Sequence, residues 1–191
     1  MDFKRTTNST ANLDEFINGA ETQNESIKKN ETYLYVHAGF SKEIGDRIKQ
    51  KYSKMSLTKW IEQALIQEIP HIKENVLPFI YQKAEWHNMT IQNFVKFKMG
   101  LLDTPQSKTP KDKKENIRYI GIKTQNKENK EAIKRNAENL GLSVRSYSKI
   151  KILATYELKD MFTFEELMQF KAEAMNYDLE LDEYITMRIK G

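Results

Sequence analysis

The chain carries few groups able to make or break a bond. It has no cysteine among its 191 residues, which removes thiol nucleophiles, disulfides and cysteine-ligated zinc together. Its histidines are His37, His71 and His87, none a helical turn from another as a metal-binding pair requires. Trp86 and His87 adjoin near an expected helix break, with no carboxylate motif linked to them. The seven glycines are scattered. No phosphate-cradling glycine loop, dinucleotide fingerprint, Gly-x-Ser-x-Gly elbow or catalytic carboxylate pair occurs. We therefore expect no catalytic residue, no metal, no cofactor and no enzymatic activity.

What remains is the chemistry of contact. Tyr33, Tyr35 and His37 occupy alternate positions of one segment, and Tyr119, Gly121 and Lys123 alternate positions of another. Period two places each set on one face of a strand, where hydroxyls and a lysine ammonium can reach the bases or phosphates of a nucleic acid. A second set, Ser56, Thr58, Lys59, Ser143 and Arg145, falls where two helices are expected to start. Backbone N–H groups there lack partners and attract anions. Ser56, Thr58 and Ser143 can cap those helices, whereas Lys59 and Arg145 oppose the local dipole unless an anion is near.

Charge distribution agrees with an anionic partner on one side. Net charge is only +4, but residues 127–151 hold seven basic residues against three acidic ones, and residues 157–191 hold nine acidic against four basic. Those segments are net +4 and −5, so one face is suited to nucleic acid and the other to solvent or protein. No apolar run approaches the roughly 20 residues that span a bilayer, and no secretory signal is visible. A soluble, cytoplasmic protein with no membrane partner is expected.

The elements that must position these residues occur twice. Residues 1–30 are polar and read as a flexible arm, with only Leu13, Phe16 and Ile17 as a short apolar cluster. Residues 103–115, with two prolines and four lysines (Lys108, Lys111, Lys113, Lys114), read as a solvated linker. In the first half, Leu34, Val36, Ala38 and Phe40 alternate with Tyr33, Tyr35, His37 and Gly39. Eighty-four positions later, Tyr119 answers Tyr35, Ile120 answers Val36 and Ile122 answers Ala38. Each strand is followed by a capped amphipathic helix: Ser41 precedes Ile44, Ile48 and Tyr52, and Asn126 precedes Ile133, Ala137 and Leu140, with Gly141 as its stop. Second helices start at Ser56 and Ser143. Trp60, Ile61 and Leu65 read as core. Each half ends in a helical pair: one breaks near His87 and Asn88 with Thr90 as cap, the other near Asn176 and Tyr177 with Asp178 or Asp182 as cap.

A lone strand cannot satisfy its own edges. Two copies suggest an antiparallel ribbon over a helical core, formed within one chain or between two, with its outer face open. The order of strand, helix, Ser-x-Thr or Gly-Leu-Ser, then a helix with an apolar pair resembles ribbon-helix-helix proteins, a fold of bacterial and plasmid repressors. Asn139-Leu-Gly-Leu-Ser-Val-Arg-Ser-Tyr147 is similar to the Gly-Leu-Ser-x-Ser-x-Tyr signature of plasmid mobilisation accessory proteins, which bind the origin of transfer beside a relaxase. The resemblance covers about 37 residues of each half. It implies a mostly α fold with a two-stranded ribbon, built as tandem units at 31–70 and 116–158. Each unit is followed by a helical hairpin, at 71–102 and 159–191, the second acidic.

It also implies sequence-specific binding of double-stranded DNA. Tyr33, Tyr35, His37, Tyr119, Gly121 and Lys123 would face the groove, Ser56, Thr58, Lys59, Ser143 and Arg145 the phosphates, and a relaxase or coupling protein would be the partner. A repressor or partition protein of the same fold and a helical protein-protein adaptor are the alternatives. The chain would act as a monomeric pseudo-dimer or as a homodimer. Three departures from the family stand out. The ribbon carries tyrosines where polar or basic residues are usual, Arg145 stands where the signature has serine, and Ser148 and Lys151 occupy the places of Ile61 and Ala64.

Overall fold

A computed structural model describes residues 34–52, 57–105, 107, 117–124 and 126–191. Tyr33, Ser56, the 1–30 arm, the linker lysines and the side chain of His37 lie outside the described residues. Those described form a mostly helical protein with one short antiparallel two-stranded sheet.

The sheet joins β1 (Leu34–Ser41) to β2 (Ile117–Thr124) of the same chain. Leu34 lies opposite Thr124, His37 opposite Gly121 and Ser41 opposite Ile117. With the repeat offset of 84, His37 and Gly121 are the same position of the two copies, and they face each other. An approximate two-fold axis therefore passes through that pair. Ala38, Phe40, Ile120 and Thr124 are buried beneath the ribbon, as the alternation requires.

Each strand feeds a helix whose cap is local. Ser41 Oγ accepts from Ile44 N at 3.4 Å at the start of α1 (Lys42–Lys51). Asn126 Oδ1 accepts from Glu128 N at 2.8 Å and Asn129 N at 3.2 Å at the start of α5 (Lys127–Asn139). Gly141, at φ +63°, lets the chain leave α5 through a bond from Leu142 N to Ala137 O of 2.9 Å. Second helices follow: α2 (Leu57–Ile66) and α6 (Val144–Leu158). They are exchanged between copies, since α2 packs on β2 and α6 on β1. The buried helix α6 also touches α2, α3, α4 and α5, and so forms the axis of the molecule.

The two hairpins, α3 (Leu77–Trp86) with α4 (Ile91–Lys98) and α7 (Phe164–Met175) with α8 (Leu181–Lys190), match at an offset of 90. Asn88 and Asp178 adopt left-handed φ of 52° and 55°. In both turns the next N–H reaches back to an alanine carbonyl, Met89 to Ala84 at 2.7 Å and Leu179 to Ala174 at 3.1 Å. Phe94 and Val95 correspond to Tyr184 and Ile185, all buried. Thr90 caps α4 by accepting from Asn93 N at 3.0 Å. The expectation that Asp178 or Asp182 caps α8 is corrected: Asp178 is used for the left-handed turn, Asp182 lies in the first turn, and Glu180 holds the cap position without a side-chain bond. One apolar core runs through both halves.

Inside that core, Lys151 is 1% exposed and its Nζ lies 3.2 Å from Glu74 Oε1. The same oxygen is 2.6 Å from Tyr147 Oη, which is 2.9 Å from the Leu65 carbonyl and accepts from Asn136 Nδ2 at 3.3 Å. One hydroxyl proton serves one of its two acceptors at a time. Burial, then the Glu74 carboxylate, holds the Tyr147 phenol well above its ordinary range. Glu74 retains 28% side-chain exposure, so water can partly solvate it, whereas Lys151 has no such recourse. Breaking the pair from opposite ends should therefore be unequal. Glu74→Ala strands a buried ammonium and is expected to cost about 3–5 kcal/mol in urea unfolding, and Lys151→Met under half of that. A larger loss for Lys151→Met would show that the lysine is not the buried partner.

Candidate nucleic-acid interface

Strand parity leaves Tyr35, Ile117, Tyr119, Gly121 and Lys123 exposed on the ribbon's outer face. Tyr35 is 60% exposed and Tyr119 54%. Each ring lies across a glycine of the opposite strand. A Cβ on Gly121 would stand 3.3 Å from Tyr35 Oη, and one on Gly39 would stand 3.2 Å from Tyr119 Cε1 and 3.1 Å from Ile117 Cγ2. Glycine thus gives each tyrosine a flat floor. The two rings are not equivalent, however: Tyr119 covers its direct partner Gly39, while Tyr35 covers its diagonal neighbour and faces Lys123.

The helix starts expected to meet phosphates are exposed where described. Ser143 Oγ accepts from Ser146 N at 3.1 Å and its hydroxyl donates to Ser146 Oγ at 3.0 Å. That cap satisfies one of the free N–H groups of α6 and leaves others to solvent or an anion. Arg145 projects from the same turn, and Thr58 and Lys59 from the first turn of α2, all three exposed. No ion pair involves Lys59 or Arg145 among the described residues.

Some features were not visible in advance. Ile117 belongs to the outer face, which the parity of Tyr119 two residues later already implied. Lys151, counted among the basic residues of 127–151, is buried and engaged by Glu74, so the surface of that segment is less basic than its composition. Glu62 also ties the halves together: the Thr124 hydroxyl and Asn129 Nδ2 (2.8 Å) both donate to it, fixing the end of β2 and the start of α5 on α2. No group of three or more His, Asp or Glu side chains among the described residues is placed to hold a metal ion. No described helix is long and apolar enough to cross a membrane.

Lys59 and Arg145 sit against the positive ends of their helix dipoles. Arg145→Gln is accordingly expected to stabilise the free protein by about 0.3–1 kcal/mol in low-salt urea unfolding, a gain that shrinks as salt is added. A destabilised Arg145→Gln protein would mean that the guanidinium makes a structural contact.

Comparison of the chain with family models, with curated proteins and with solved structures finds no match in any of the three.

Proposed function

We propose that this protein binds duplex DNA in a sequence-specific manner through the β1–β2 ribbon, as two ribbon-helix-helix units in one chain. The observation that carries the reading is the open outer face of a ribbon closed within the chain, with Tyr35, Tyr119 and Lys123 upon it. A two-stranded ribbon fits the major groove, and alternate side chains then meet base edges. Tyrosine hydroxyls donate or accept there, and Lys123 suits guanine. The starts of α2 and α6, with Thr58, Lys59, Ser143 and Arg145, supply phosphate contacts that fix the register. Ser56 completes the phosphate set, and Tyr33, His37 and Gly121 complete the groove set.

The mobilisation-type signature at 139–147 makes the preferred role that of a relaxosome accessory factor, which marks an origin of transfer and helps a relaxase or coupling protein assemble there. Chemistry belongs to that partner. A repressor or partition protein would use the same face, and the position of a footprint separates the three roles. In this reading the protein is cytoplasmic and works as a single-chain pseudo-dimer.

A second reading has its own observation. The acidic hairpin α7–α8 exposes Phe164, Met168, Met175 and Tyr177, and exposed apolar side chains gathered on one hairpin mark surfaces that meet a partner. Such a face suits a helical adaptor between proteins.

Mobility shifts with specific and competitor duplexes decide between the two. Lys123→Ala and Tyr35→Phe are expected to reduce discrimination, each by roughly 1–3 kcal/mol at most. Lys59→Gln and Arg145→Gln should weaken binding to all duplexes and lower the salt slope by about one unit each. Equal effects of all four on specific and random DNA would contradict these roles, and absence of any duplex binding would leave the adaptor.

A further inference from the structure

The ribbon's approximate two-fold axis passes through His37 and Gly121, so the offset of 84 equates Tyr35 with Tyr119 and Gly39 with Lys123. At one end of the outer face, Tyr35 stands opposite Lys123. At the other, Gly39 stands opposite Tyr119, with Ile117 beside them and 58% exposed. The symmetry of the backbone is thus not carried into the side chains. A phenol and an ammonium occupy one end, and a phenol, a bare backbone and an aliphatic group occupy the other.

The ring positions reinforce this difference. Were the face symmetric, Tyr119 would lie over the residue equivalent to Gly121, which is His37. It lies over Gly39 instead, a position that a lysine fills in the other copy. Because β1 and β2 belong to one chain, the two ends always occur together and in a fixed order. Two identical chains pairing through one strand could not produce that arrangement, since their closed two-fold interface repeats every residue.

We infer that one chain reads one non-palindromic duplex site in a fixed orientation: the Tyr35 and Lys123 end lies on a half-site containing guanine, and the Gly39, Tyr119 and Ile117 end on a half-site containing thymine. This rests on the DNA-binding reading above. Lysine donates to guanine N7 and O6 in the major groove, while an aliphatic side chain without polar groups favours the thymine 5-methyl. Gly39 adds no side chain there, so the described side-chain donors of the second end are the hydroxyls of Tyr119 and of Ser41, which lies opposite Ile117.

The test is selection of bound sites from a random duplex library with the full chain, followed by chemical editing of the selected site. The expected motif has unlike halves and binds one chain per duplex by native mass measurement. Replacing guanine by 7-deazaguanine in the first half should lower affinity up to about tenfold. Replacing thymine by deoxyuridine in the second, which removes one methyl, should lower it about fourfold. Lys123→Gln should abolish the first sensitivity alone and Ile117→Ala the second alone. Both residues are exposed, and the edited duplexes test the wild-type chain without any substitution. A palindromic motif, or both sensitivities in one half, overturns the inference while leaving DNA binding intact. Failure to bind any duplex overturns the DNA-binding reading, and this inference with it.

Discussion

Everything in this protein depends on pairing two strands whose aligned residues stand more than 75 positions apart. Neither β1 nor β2 has another strand to bond to among the described residues, and a single strand leaves a row of backbone donors and acceptors open on both edges. Closing that long loop costs chain entropy before any ladder bond forms. What offsets the cost is the exchange of second helices beneath the ribbon. Because α6 supports β1 and α2 supports β2, each strand is covered in large part by the second helix of the other half, and strand pairing is coupled to core formation. The Glu62 contacts to Thr124 and Asn129 lie on this crossing, as does the Tyr147 hydroxyl near the Leu65 carbonyl.

The two halves preserve backbone geometry more faithfully than side-chain chemistry. The offset between equivalent positions grows from 84 in the strands to 87 at Trp60 and Tyr147 and 90 in the hairpins. The first step of three residues accompanies the longer first helix of the second half, 13 residues in α5 against 10 in α1. Ile48 and Ile133, each the seventh residue of its helix, are both buried, so the added residues follow the shared inward position. At the hairpin turns, the left-handed conformation appears with Asn88 in one half and Asp178 in the other, two residues whose short polar side chains tolerate it. By contrast, Ile61 and Ala64 are answered by Ser148 and Lys151 in the core. Such polar substitutions in a packed interior persist only with partners, and Lys151 has Glu74. Ser148 Oγ is buried with no hydrogen-bond partner, and nothing in the structure explains it.

Much of this was legible in the residues because its causes are local. Alternation in Leu34, Ala38 and Phe40 sets which side of the ribbon is buried. Ser41, Asn126, Thr90, Ser143 and Gly141 mark helix ends by bonds that reach no more than a few residues. The parts that were not legible have distant causes. The burial of Lys151 depends on a glutamate 77 positions earlier in the chain, so its charge looked like surface charge. Asp178 offered an acidic cap by residue type, yet the turn needed it in a left-handed conformation, leaving Glu180 to start α8. The outer face was half legible: parity alone predicts which residues share it, but the inequality of its two ends needs the register, which no single strand encodes.

Covalent connection of the two copies changes what selection can act upon. When two identical chains form a ribbon, any substitution on its face appears twice, once on each side of the axis, and the surface can only recognise something with matching symmetry. With both strands in one chain, the partner strand is supplied at a high effective concentration, and each position varies on its own. Gly39 opposite Tyr119 and Lys123 opposite Tyr35 are the result of that independence. The buried layer differs between the copies as well, buried Phe40 being answered by buried Thr124, but its residues must fit together above α2 and α6. The outer face met no such packing constraint. The physical consequence is a ribbon with a directional top, so that orientation becomes a property the molecule can impose on whatever lies against it.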